Sequence, residues 1–327
     1  MTSAINDAIP VAGTLIDATA IRDNFVTAKS EVSALQTAKL AANGTVNPSA
    51  NQPMAGFKHT GVAAASAAGQ YVEYSQAYAM ASLGKSAIVN GNFSINQRAV
   101  SGTVTLAAGV YGHDRWKAGA GGCTYTFTTT NGITTVTITA GSLMQTIRAA
   151  DVPIGLNTCV LSWAGTAQGR FGVGSYGASG LTASVVGNVA LTVEFNTGTL
   201  SLVQLELGSV ATPYRQRPDV EELNLCQVYY ESITSVGTKV VGTGLVGTGN
   251  AIILMTYSYK RIPPVFTFST GWTIYDGVVN SVATLIAQTT SLTSAQLRFS
   301  TASLTAGNGA MLISDSTGQT IKISAEE

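Results

Sequence analysis

Four stretches in the middle of the chain constrain its fold more than anything else in it. GITTVTITAG (132–141), CVLSWAG (159–165), LTASVVG (181–187) and NVALTVEFNTGTLSLVQLELG (188–208) alternate apolar and polar residues between Gly and Asn breaks. Period-two alternation lets one face of a strand be buried and the other left wet. No helical pattern separates these stretches, so they argue for a β-sandwich or jelly roll rather than βαβ units. Composition agrees. Charged residues make up only 10 % of the chain, against about 25 % in an average globular protein. At 45 % apolar, it can still build a core, so it is not a solvated disordered polymer. Much of its surface is expected to be hidden, in its own core or against copies of itself.

The last of the four stretches reads as a hairpin with Thr197 and Gly198 at its tip. Leu191, Val193 and Phe195 would face inward. On the return, Leu200 and Leu202 share one phase, while Val203, Leu205 and Leu207 take the other. A bulge near 202–203, or a strand changing sheets, would explain the switch. Residues 211–233, ATPYRQRPDVEELNLCQVYYESI, break the β pattern. Asp219 is placed to cap a short helix running through Leu225 toward Tyr229. Beyond it, AIILMTYSYK, PVFTFSTG, VATLIAQTT, AQLRFSTAS, AMLISDS and QTIKISA return to strands and read as a second, smaller β domain.

Residues 14–40 carry a different period. Ala18, Ile21, Phe25, Ala28, Val32 and Leu35 follow one another at spacings of 3, 4, 3, 4 and 3. That is an a/d seam over about two and a half heptads. Thr14 and Asp17 resemble a capping box at its start. A lone helix of this length is marginal in water and needs a partner. It could pack on its own domain. The loop composition of residues 41–53, AANGTVNPSANQP, favours instead a short parallel coiled coil between copies of the chain. Residues 54–90 are rich in small side chains and read as a narrow connector.

Several functions are disfavoured by what the sequence lacks. Net charge is zero, and no basic block offers an electrostatic footprint for nucleic acid. The first residues show no signal-peptide pattern, and no apolar run approaches the roughly 20 residues of a membrane-spanning helix. Cys123, Cys159 and Cys226 fit no metal spacing and are expected to be reduced thiols. Two histidines, His59 and His113, leave little room for His-based catalysis, and no G-x-S-x-G elbow, Walker loop or zinc motif occurs. Glycoside hydrolysis needs only two carboxylates. Asp114, Asp151, Glu194, Glu206, Asp276 and Asp315 are the candidates in the β regions. The proposed hairpin pairs Glu194 with Ser201 and leaves Glu206 far away, which disfavours a pair within one chain. A pair between chains stays open. No cofactor or metal is expected, although Asp/Asn-rich loops are chemically able to hold calcium.

Carbohydrate binding asks for exposed aromatic faces and a few polar groups to match hydroxyls. Trp116, Trp163, Trp272, Tyr111, Tyr176 and Tyr275 are the candidates. Trp163 sits in a strand and reads as core. GWTIYDG (271–277) places Trp272, Tyr275 and Asp276 near a loop, and with Tyr176 these form the expected glycan-binding set.

The order NGNFSINQR (90–98), DRW (114–116), QLELGSVATPYRQRP (204–218) and EELNLCQVYYES (221–232) resembles phage tail-fibre proteins. In that family a strand of the first form opens a jelly roll resembling a carbohydrate-binding module, and the QLELG strand closes it. YKRIPPVFTF also resembles a strand lead-in common in these fibres. The similarity covers roughly residues 88–265. At the other end, GTLIDATAIRDNFVTAKSEVSALQ resembles a tail-attachment region with its first coiled coil, and QPMAGFKHTGVAAASAAGQYVEYSQ resembles a fibre connector. Only one such unit occurs, so the shaft would be short. The resemblance implies four parts: 1–42, tail-attachment segment and coiled-coil helix with Ile21, Phe25, Ala28, Val32 and Leu35 at the trimer seam; 43–87, connector; 88–215, jelly roll; 216–327, short helix and terminal β domain. It implies a non-enzymatic homotrimer in the virion, made in the host cytoplasm, docked to other tail proteins and recognising a host polysaccharide. NGNFSINQR would then be scaffold. Phe93 and Ile95 would point inward, Asn92 and Gln97 would satisfy backbone groups, and Arg98 would pair with Asp114 beside a buried Trp116. A purely structural tail or collar part and a polysaccharide depolymerase are the alternatives.

Overall fold

The structure is a computed structural model, and it describes residues 18–42, 86–152, 156–236, 240–282, 284–300, 304–314 and 318–326. The Thr14–Asp17 cap, the segment 1–17, nearly all of the connector, His59 and Asp315 lie outside the described residues. The chain divides into two compact units, residues 1–63 and 64–327.

In the first unit, α1 (Ala18–Ala42) is a continuous 25-residue helix. Its apolar stripe is open to solvent in the single chain: Phe25 is 72 % exposed, and Val32 and Leu35 are more than half exposed. Ile21 and Ala28 on the same face are half-buried.

The second unit is mainly β, with three antiparallel sheets among the described residues. Its first part contains β1 (Val104–Leu106), β2 (Lys117–Thr130), β3 (Ile133–Ile147), β4 (Leu156–Ala164), β5 (Gly169–Phe171), β6 (Leu181–Val186), β7 (Leu191–Phe195) and β8 (Gly198–Leu207). The strand order is β1-β2-β3-β8-β4-β6, with β7 and β5 continuing from β3. Val136, Ile138, Val193 and Phe195 from one side and Cys159, Leu161, Val185 and Leu205 from the other share one core. Aromatic packing knits its centre: Phe93 stacks on Trp116 at 4.8 Å, and Trp163 meets Phe195 edge-on at 5.1 Å.

The expected hairpin at Thr197–Gly198 does not form. β7 pairs with residues 143–147 of β3, and the start of β8 pairs with residues 136–138 of the same strand. The two therefore run end to end along β3. Gly198 marks the break: its φ is +134°, and a Cβ there would lie 2.5 Å from the Ala167 nitrogen. The phase switch at 202–203 has both of its expected explanations: the β4–β8 register slips where residues 202 and 203 face Trp163 alone, and the strand changes partner. β8 leaves β3 after Leu200 and pairs with β4 from Ser201 onward. Leu202 makes the turn with φ +52°, so Leu200, Val203 and Leu205 all reach the core.

After a linker, α2 (Asp219–Gln227) leads into β9 (Tyr230–Thr234). Asp219 is not the cap expected of it: it is the first helical residue, and Pro218 holds the cap position without a side-chain hydrogen bond. Three acidic residues occupy its first turn, where they suit the positive end of the helix. The remaining strands are β10 (Val240–Gly247), β11 (Asn250–Thr256), β12 (Val265–Phe268), β13 (Trp272–Tyr275), β14 (Val279–Ser281), β15 (Thr284–Thr290), β16 (Ser294–Ser300), β17 (Gly309–Ser314) and β18 (Thr320–Ser324). They form a seven-stranded sheet, β14-β13-β17-β10-β11-β16-β15, and a three-stranded sheet, β12-β18-β9. Ile253, Leu297, Phe299, Leu312, Ile321 and Ile323 fill the core they share.

Candidate functional site

NGNFSINQR is not a strand. Residues 90–98 form irregular chain with left-handed backbone at Asn90 (φ +59°) and Phe93 (φ +56°). It runs close to β8: the Val203 amide donates to the Gly91 carbonyl at 2.8 Å, and a Cβ on Gly91 would lie 2.1 Å from the Val203 carbonyl oxygen. Only glycine fits that approach. Asn90 is fully buried. Its Oδ1 accepts from the Ile95 amide at 3.0 Å, and its Nδ2 donates to the carbonyls of Ile95 (2.8 Å) and Asp114 (3.0 Å). An Asn side chain thus replaces the missing strand ladder. Phe93 is buried as expected, Ile95 is half-buried, and the Asn92 Oδ1 accepts from the Ser94 amide and hydroxyl.

The motif residues converge on a buried polar clasp. Asp114 accepts from the Gln97 amide (2.6 Å), the Gln97 side chain (2.9 Å) and Arg98 (3.4 Å). The expected Arg98–Asp114 pair is present, between loops rather than strands. Burial still pushes the Asp114 carboxyl above its ordinary range, against the pull of Arg98 and the Gln97 hydrogen bonds. Arg98 lies 3.7 Å over the Tyr230 ring, and Arg115 lies 3.5 Å over Tyr229. Glu326, at the end of the described chain, accepts from Arg98 at 3.2 Å and from Arg115 at 2.5 Å. The Asn90 amide donates to the Glu222 carboxylate of α2, which also pairs with Arg217 at 3.1 Å. So INQR, DRW and CQVYYES meet at one seam, which joins the 88–208 β region to α2, β9 and the chain end. Sequence reasoning singled out Asn92 and Gln97 and missed Asn90, Arg115, Tyr229, Tyr230 and Glu326. The adjacent tyrosines after the acidic helix were the available signal. His113 sits nearby, its Nδ1 3.0 Å from the Tyr125 hydroxyl, and burial lowers its pKa to about 4.

The expected glycan residues are not brought together. Trp272 is 3 % exposed and belongs to the second core, so its ring face cannot meet a sugar. The Asp276 carboxylate is buried and accepts from the Thr305 amide at 2.9 Å, while its carbonyl accepts from Asn308 at 2.8 Å. It orders a loop. Tyr176 lies in the first β region, with Arg170 4.5 Å over its ring. Tyr275 is 39 % exposed and lines an open depression of about 570 Å³ with Thr243, Gly277, Asn308 and Met311. Trp116 and Trp163 are core residues, and Tyr111 is half-buried beneath Arg98 and Lys117.

Among the described residues the candidate carboxylates are occupied. Glu194 pairs with Arg170 at 2.6 Å and accepts from Ser142, Glu206 accepts from Thr212, and Asp151 pairs with Arg148. Glu194 faces Met144 and Arg170 across its ladders, not Ser201. The three cysteines are buried and unpaired, and burial raises each thiol pKa. Among the described residues no group of His, Cys, Asp and Glu could hold a metal ion, and no helix is long and apolar enough to cross a membrane. A larger cleft of about 710 Å³ lies between the first β region and α2, walled by Val152, Leu191, Leu205, Leu225 and Val228. No family model, curated protein or solved structure matches this chain.

Proposed function

We propose that the chain is a non-enzymatic bacteriophage tail fibre. Its amino-terminal region docks to the tail, α1 joins three copies in a coiled coil, and the two β regions face the host. The first β region is read as a jelly roll. The observation that carries this reading is the open stripe of α1, since Phe25, Val32 and Leu35 lie exposed at heptad spacing on a helix that needs partners. The motif order supports it. So does the fate of the ionisable groups, because Asp114, Asp151, Glu194, Glu206 and Asp276 are all engaged in structural contacts.

The surface proposed for host glycan is the Tyr275 depression. Tyr275 offers a ring face and the Asp276–Asn308 contacts hold the rim. Binding per site would be modest, and three sites on one particle would raise avidity. The test has two readings. Light scattering of the full chain should give three times 33.6 kDa, and immobilised host lipopolysaccharide or capsule should bind it, with Tyr275→Ala lowering apparent affinity at least about tenfold. A single-chain mass removes the fibre reading. A trimer that binds no host saccharide leaves a structural tail part. Release of reducing sugar from the host polysaccharide would favour a depolymerase instead.

A further inference from the structure

The Tyr275 depression offers groups of one electrostatic kind. Tyr275 stands opposite Met311, and Met311 opposite Thr243. Directly paired residues share a face with Cβ atoms about 5 Å apart, so the three form a row. Tyr275, Thr243 and Asn308 are exposed, and Met311 is half-buried between them. The row therefore gives a ring face, a thioether floor and neutral polar side chains. The Asn308 amide is fixed by its bond to the Asp276 carbonyl at 2.8 Å. Among the described residues nothing hydrogen-bonds the Thr243 hydroxyl. A Cβ on Gly277 or Gly309 would meet nothing within 4 Å, so the space above both is open. Asp276 is the one charged side chain among the described lining residues. Its carboxylate is buried and accepts from the Thr305 amide at 2.9 Å. No Lys or Arg is among them. Across the seven strands as described, Arg298 is the one charged residue. It stands opposite Ile252, Ile252 opposite Leu245, and Leu245 opposite Gly309. Its backbone is thus three strand spacings, about 14 Å, from the depression.

We infer that the saccharide bound in this depression is a neutral hexopyranose and that acidic sugars are rejected there. The inference rests on the proposed host-glycan reading of Tyr275 and adds the charge class of the ligand. A neutral pyranose lays its C–H face on a tyrosine ring and offers hydroxyls to groups such as Thr243 and Asn308. A uronate or sugar phosphate loses part of its hydration on entering a site, and it recovers that loss from a cation or a cluster of N–H donors. The depression lines up neither. Its one charge, the Asp276 carboxylate beneath the rim, repels a second anion, and burial weakens the screening of that repulsion. Arg298 gives no relief, because its distance exceeds the Debye length of about 8 Å at physiological ionic strength. Selection here is by the absence of a counter-charge, so it works on the class of sugar more than on the stereochemistry of one hydroxyl.

An array of bacterial oligosaccharides, neutral and acidic, probed with the full chain tests this. The members bound should be neutral. For each hexose oligomer bound, its uronate counterpart, which differs only in carrying carboxylates, should bind at least about tenfold more weakly. Gly309→Phe fills the depression from a position with open space above it, so it should abolish binding and keep the parent thermal midpoint. Thr243→Arg adds a cation to the row and should bring uronate binding up, with the gain fading at high salt. Uronates that bind as tightly as neutral sugars, and are lost in Gly309→Phe, overturn the neutral class and leave the glycan reading standing. A Thr243→Arg protein that holds uronates no better than the parent counts against charge as the basis of selection. Binding that survives both Tyr275→Ala and Gly309→Phe puts the saccharide elsewhere and overturns the inference. An array on which nothing is bound overturns it together with the glycan reading of the depression.

Discussion

At the scale of single residues, the most consequential side chain is Asn90. It spans three backbone groups from full burial and holds a left-handed backbone that Asn tolerates better than most residues. Asn90→Ala removes those bonds, strands the buried amide and carbonyls, and should cost about 2–4 kcal/mol in urea unfolding. The sequence showed that NGNFSINQR was polar, and a scaffold role was expected of it. It did not show which Asn does the work, because three of them stand within nine residues and only the fold decides which is inside. His113 supplies a pH-dependent term. Its folded pKa of about 4 lies below its ordinary value of 6.5, so the unfolded chain binds the proton more readily. Its contribution is therefore complete above pH 6.5 and lost as pH falls toward 4. The difference is about 3 kcal/mol. Urea midpoints measured from pH 7 to 4 should fall more steeply for the unaltered protein than for His113→Gln. Parallel profiles would show that another group carries the effect.

At the scale of elements, β7 and β8 show how a local pattern can be right in period and wrong in pairing. Alternation at 191–207 specified strands, and the change of phase located a real break at Leu202. The TG pair suggested a hairpin because a Gly after a small polar residue is a common turn signal. Yet Gly198 serves a close approach to Ala167 along β3, and nothing within ten residues distinguishes the two uses. Gly198→Ala should therefore destabilise by more than about 2 kcal/mol, through the left-handed backbone and the clash. A thermal midpoint unchanged from the parent would return the hairpin to consideration. α1 makes the complementary case. Its heptad spacing was legible without any fold, since every residue of the seam lies between Ala18 and Leu35. Phe25, Val32 and Leu35 stay exposed in the single chain.

At the scale of the whole second unit, the chain end holds the two β regions together. Glu326 sits between Arg98 and Arg115, each resting on a tyrosine from the segment after α2. Glu326→Ala leaves two largely buried guanidinium groups without their shared carboxylate, at a cost of about 3–5 kcal/mol. Calorimetry should then show two separated transitions in place of one, and limited proteolysis should gain a cut in the 208–218 linker. A single transition at the parent temperature would mean that the apolar contacts around α2 suffice without the clasp.

Strand-forming period, the α1 helix and the short helix after Pro218 were legible in the sequence alone, because alternation, heptad spacing and the break at a proline are set by neighbours a few residues apart. Sheet order, the crossing of β8, the burial of Trp272 and the meeting of Arg98, Arg115 and Glu326 were decided only by the tertiary structure. These contacts join residues up to 228 positions apart. A Trp or Glu looks the same in sequence whether its surroundings are water or core, and what surrounds it is set by which strands the rest of the chain brings alongside.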